Sequence, residues 1–84
     1  MISDQIKALL YESLDISSLE IVDDTSKHKN HPQSNGGHFT LTIISSDFES
    51  KSLIERHRMI YKILESMIKK EIHALSINAK TPSE

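Results

Sequence analysis

The sequence predicts a small two-layer α+β domain, in the order helix-strand-strand-helix-strand, with a three-stranded sheet covered by both helices on one face. Three observations carry this prediction. Apolar residues recur every three or four positions in two stretches, one starting near Ile6 and one near Leu53, which is the spacing that lays a stripe along an α-helix. They alternate every two positions around Leu19, Phe39 and Leu75, the period of a half-buried strand. A chain of 84 residues has room for one core, so residues 1–84 are expected to form a single domain, and helices packed on one side of a sheet are the two-layer solution for this order.

In the first helix Ile6, Leu9, Leu10 and Leu14 form the stripe, with Ser3 as N-cap and Asp4 at the positive end. Asp15 to Ser18 should break the chain before a short strand, Leu19 to Asp23, that closes on two acids. From Asp24 to Gly37 the sequence is polar, holds both glycines and the only internal proline, and shows no apolar period, so it reads as a loop longer than an ordinary hairpin connection. His38 to Ser45 returns to alternation, with Phe39, Leu41 and Ile43 on one face. Ser46 to Ser52 turns the chain, with Phe48 as an apolar plug and Ser52 as N-cap.

The second helix is expected to place Leu53, Ile54, Ile60, Tyr61, Leu64, Met67 and Ile68 toward the core, and Arg58, Lys62, Glu65 and Lys69 toward water, with a favourable Glu65–Lys69 pair. His57 falls on the apolar stripe. It therefore reads as a structural histidine whose internal hydrogen bond pins helix to sheet. After Glu71 the period becomes two, which would put His73 on the face of Leu75 and Ile77.

Composition narrows the function. An apolar fraction of 37% with 26% charged residues suits a globular chain, and no apolar run approaches the length of a membrane span. The N-terminus, MISDQIKALLYESL, places acids among its apolar residues and lacks a basic region and cleavage site, so a signal peptide is not expected and a cytoplasmic location is. A net charge of −2 argues against a broad phosphate-binding surface, because nucleic-acid affinity comes from clustered cations that release counterions. Without cysteine there is no disulfide framework, thiol nucleophile or thiolate ligand. An enzyme is not expected, since no spacing singles out a nucleophile and base and no glycine loop precedes a helix. Five histidines are present, and His28, His31 and His38 crowd into one loop; imidazole suits iron, zinc or copper.

Four motifs then bring a family into view: GGHF at Gly36 to Phe39, SSDF at Ser45 to Phe48, ERHRMIYKIL at Glu55 to Leu64, and IHALSI at Ile72 to Ile77 followed by TPSE. Together the motifs, spread over nearly the whole chain, make it resemble the BolA family. One departure is Ser50, where the family commonly has glycine.

The resemblance implies a fold similar to class II KH domains and partnership with a monothiol glutaredoxin carrying glutathione, the two proteins sharing a bridging [2Fe–2S] cluster. In that picture His73 is one ligand and a loop histidine is the other, His28 with His31 as the alternative. Arg56, Arg58 and His38 are expected to face a partner. Two imidazoles and no thiolate make at most half of a four-ligand site, so no cluster is expected to be held by this chain alone. Ligation needs unprotonated imidazole and should weaken below a pH of about 6.5. The alternative function is a KH-like nucleic-acid-binding transcriptional regulator of stress or morphology. Against it, the chain lacks the GxxG loop with which KH modules clamp a backbone.

Overall fold

Phe39, Leu41, Ile43 and Ser45 are buried while His38, Thr40, Thr42 and Ile44 between them are half-buried, which makes this strand the middle of the sheet. The structure, a computed structural model, describes residues 1–25 and 36–84. Helix α1 (Ile2–Ser13), strand β1 (Ile16–Asp23), strand β2 (Gly37–Ser45), helix α2 (Leu53–Ile63) and strand β3 (Ile72–Lys80) follow in the predicted order, with a 3₁₀ turn at Ser46–Phe48. The sheet order is β1-β2-β3, with β1 antiparallel and β3 parallel to β2. One core joins Ile6 and Leu10 of the first helix and its C-cap Leu14 to Phe39, Leu41, Ile43, Phe48, Ile60, Leu64 and Ile72, so both helices cover the same face. Among the described residues no helix is long and apolar enough to cross a membrane.

Several boundaries differ from the sequence expectation. Helix α1 starts two residues early, with Met1 rather than Ser3 in the N-cap position and no side-chain cap. Strand β1 begins at Ile16, because side chains beyond the strand fix its entry: Asp15 N–H donates to Asp47 Oδ2 at 2.8 Å and Ser45 Oγ donates to the Asp15 carbonyl at 2.8 Å. Ser52 caps α2 as expected. Its hydroxyl accepts from Glu55 N–H at 3.1 Å, while Glu55 Oε1 accepts from Ser52 N–H at 2.7 Å, a reciprocal capping box. That backbone bond holds the Glu55 carboxyl below its usual range.

The rotation of α2 is the largest correction. Leu53 and Ile54 are 66% and 64% exposed, whereas Arg56 is buried with Ile60. The helix ends at Ile63, and residues 64–71 continue in tight turns, with Lys69 in the left-handed region at φ 67°. Glu65 and Lys69 are therefore not an i,i+4 pair on a helix. Met67 is buried and Ile68 half-buried, so the apolar spacing persists through turns that periodicity cannot tell from helix.

Candidate functional site

The end of the sheet where β2 and β3 begin is built around two glycines. Gly36 has φ 101°, and a Cβ there would lie 2.3 Å from the Lys70 carbonyl oxygen, so the chain can approach the 69–71 turn only without a side chain. Gly37 N–H donates to the Glu71 carbonyl at 2.8 Å. The start of β3 is thereby held against the start of β2.

Here the register slips. Gly37 pairs with Ile72 but His38 pairs with Ala74, leaving His73 as the extra residue of a bulge. Ile72 is fully buried, and beyond the bulge Leu75, Ile77 and Ala79 face the core. The bulge thus changes which parity points inward, a device that re-aims one side chain. His73, expected on the face of Leu75 and Ile77, is instead exposed, with its ring 5.1 Å from that of His38, centroid to centroid, and tilted by 55°. The apolar pair Ile72 and Leu75, three apart, is the sequence signal for this break in period.

His38 is half-buried and tied by its main chain: its N–H donates to Thr25 Oγ at 3.1 Å, and its carbonyl accepts from Asp24 N–H at 2.7 Å. Thr25 in turn donates its N–H and hydroxyl to Asp23 Oδ1, and the hydroxyl bond holds the Asp23 carboxyl below its ordinary value. Thr40 Oγ donates to Asp24 Oδ2 at 2.8 Å. Residues 25 and 36, which flank the segment carrying His28 and His31, are therefore both anchored at this end of the sheet. His28 and His31 themselves lie outside the described residues. Among the described residues no group of three or more His, Cys, Asp or Glu side chains comes together to hold a metal.

The remaining candidates lie elsewhere. Arg56, expected to face a partner, is buried and engaged internally: Nε donates to the Lys51 carbonyl, Nη1 to the Ala79 carbonyl at 3.0 Å, and Nη1 and Nη2 to the two Glu84 carboxylate oxygens at 2.8 and 3.0 Å. It is Arg56, rather than His57, that pins α2 to the sheet. Ala79 is six residues past His73, ~20 Å along a strand, so this clamp is remote from the imidazole pair. His57 is half-buried in a groove it lines with Leu53, Ile77 and Lys80. Arg58 is exposed beside Lys51, Met59 and Lys62.

Chemically, the exposed imidazole of His73 can donate one nitrogen ligand to a borderline metal, whereas the neighbouring His38 ring is half-buried with its Nε2 shielded from solvent. One imidazole cannot complete a metal's coordination, so a metal held here needs ligands from elsewhere.

Comparison with known proteins agrees with the motifs. The family model described as BolA-like protein matches residues 10–84. A BolA-like protein of Dictyostelium discoideum is 40% identical over 84 residues, covering 99% of this chain and 73% of the relative. The DNA-binding transcriptional regulator BolA of Escherichia coli is 32% identical over 84 residues, covering all of this chain and 79% of that protein. The solved BolA domain of SufE1 from Arabidopsis thaliana superposes with a TM-score of 0.85 at 42% identity, covering 95% of this chain and 91% of the domain. The chain also matches SufE-like protein 1 of Arabidopsis thaliana, of whose length it spans only 24%.

Proposed function

The chain belongs to the BolA-like protein family, and from that premise we propose that it is a non-enzymatic adaptor that pairs with a glutathione-bearing monothiol glutaredoxin around a shared [2Fe–2S] cluster. The observation that supports this most is the bulge at His73. A strand histidine turned out of the core, exposed and beside a second imidazole, is poorly explained by packing. It is well suited to reaching a group held partly by another protein.

In this reading His73 donates one nitrogen ligand, and the second comes from His28 or His31, whose segment leaves at Thr25 and returns at Gly36, against the Lys70–Glu71 turn that precedes His73. His38 orients the His73 ring and limits its freedom. The glycine pair and the Gly37–Glu71 bond keep the start of β3 fixed, so the ligand is presented with little ordering left to do. The cluster, when bound, supplies one-electron chemistry and transferable iron and sulfide; two neutral imidazoles in place of two thiolates reduce the negative charge around it and raise its potential.

The test is anaerobic titration of the protein into cluster-loaded glutaredoxin, read by visible absorption and circular dichroism. A new spectrum at one-to-one stoichiometry, lost in His73→Ala and in either His28→Ala or His31→Ala, is expected. An unchanged spectrum with the wild-type chain removes the cluster role. A second reading, nucleic-acid binding, is favoured by the name of the Escherichia coli relative. Filter binding across salt concentrations separates the two, because phosphate contacts give a steep salt slope.

A further inference from the structure

A cavity of about 360 Å³ opens between α1 and the 64–71 turn, lined by Gln5, Ala8, Leu9, Ser66, Met67 and Glu71. Its walls are largely aliphatic. Among the lining residues Glu71 is half-buried, and its Oε1 is buried and accepts no hydrogen bond among the described residues. A carboxylate oxygen withdrawn from water without a donor is costly, and the 2.8 Å bond from Gly37 N–H to the Glu71 carbonyl fixes the main chain from which this side chain extends. The position asks for a cation.

We propose that this cavity is a docking pocket for a lysine ammonium carried by a partner protein. Ala8, Leu9 and Met67 suit the methylene stem, which packs on apolar surface while its charge reaches a polar end. Glu71 supplies that end, and the Gln5 amide oxygen and the Ser66 hydroxyl are further acceptors for the three ammonium protons. An ammonium suits the pocket because its three rotatable protons can be shared among acceptors on separate side chains, the Glu71 carboxylate, the Gln5 amide oxygen and the Ser66 hydroxyl. Glu71 stands two residues before His73, ~7 Å along the chain, so one partner can reach both this pocket and the exposed imidazole. Naming that partner as the glutaredoxin rests on the function proposed above; the pocket does not.

The test has two arms. In the first, amide chemical shifts are followed during titration with n-butylammonium chloride, with 1-butanol and sodium chloride as controls. Selective, saturable shifts at Gln5, Ser66 and Glu71 that neither control reproduces, and that vanish in Glu71→Gln, are expected. Shifts that are absent, or equal in the variant or with butanol, overturn the pocket. In the second, calorimetry of the glutaredoxin complex should show Glu71→Gln raising Kd roughly tenfold, the size of one charge-assisted hydrogen bond, with the wild-type cluster spectrum at saturation. An unchanged Kd overturns docking of glutaredoxin through this pocket while leaving His73 as ligand. If the wild-type chain does not bind glutaredoxin, the function reading fails and the butylammonium titration alone decides the pocket.

Discussion

Replacing Gly36 with alanine tests whether the start of β3 is held as described. At φ 101° an L-residue is strained, and the left-handed side of the map costs roughly 1–2 kcal/mol. The new Cβ would also sit 2.3 Å from the Lys70 carbonyl oxygen, where ordinary contact begins near 3.4 Å, so backbone must move by about an ångström. Forcing atoms into a packed site costs about 1–3 kcal/mol more. The total, about 2–5 kcal/mol, compares with a whole-domain stability of roughly 4–13 kcal/mol for a chain of this length. With a urea m-value of about 1–1.5 kcal/mol/M, the midpoint in far-ultraviolet circular dichroism should fall by at least about 1.3 M. Gly37→Ala should fall by less, because its Cβ would meet the Phe39 ring and the Thr25 hydroxyl rather than backbone, and side chains give way more readily. A Gly36→Ala midpoint within experimental error of wild type would show that close approach at Gly36 does not hold the start of β3. If the variant folds with its 69–71 turn displaced, His73 moves with it and the cluster complex should weaken too.

Three further outcomes are expected. Ser50 occupies a left-handed turn at φ 66°, so Ser50→Gly should relieve about 1–2 kcal/mol, offset in part by roughly 0.5–1 kcal/mol of unfolded-state entropy; a melting temperature raised by a few degrees in calorimetry bears this out, and a lowered one contradicts it. Ser52→Ala removes one half of the capping box and should destabilise by about 1 kcal/mol, which a urea midpoint indistinguishable from wild type would rule out. The Arg56 guanidinium, followed by Thr81 N–H, pulls the Glu84 carboxyl down to about 2 from an ordinary 4.5. A depressed carboxyl stabilises the fold fully above the unfolded value and loses that contribution as pH falls through the folded one, so the difference in melting temperature between wild type and Glu84→Gln should persist above about pH 4.5 and close toward pH 2. A gap that stays constant from pH 7 to 2 would show that the pair does not titrate as described.

The element order was legible because each element keeps one period over enough residues, and Phe48 and Ser52 announce their roles locally. The phase of α2 was not. Leu53 and Ile54 look like core by type, and a buried arginine looks implausible until Glu84, 28 positions away, is brought to it by the fold. Local pattern contains no such long-range partner. Of the candidate site only the residue types could be read: the loop histidines stand out in a chain without cysteine, and His73, by spacing a partly buried strand histidine, entered through the family resemblance. The site's geometry was hidden for two reasons. The proximity of His38 to His73 depends on the parallel register of β2 and β3, and the face of His73 is set by a one-residue bulge that strict alternation gets wrong. Glu71 gave no sign at all, because an unpartnered carboxylate is a property of its surroundings rather than of its sequence. Ser50 shows the converse: glycine is the usual choice for its turn, and the turn is kept without it.

Whether the outward-turned His73 is a ligand to a shared cluster is decided by pulsed electron paramagnetic resonance on the reduced glutaredoxin complex, comparing wild type with His73→Ala. Histidine nitrogen couplings in the wild-type complex, with one histidine's coupling missing in the variant, are the expected result. Nitrogen couplings that are identical in the two complexes, or absent from both, would contradict ligation by His73.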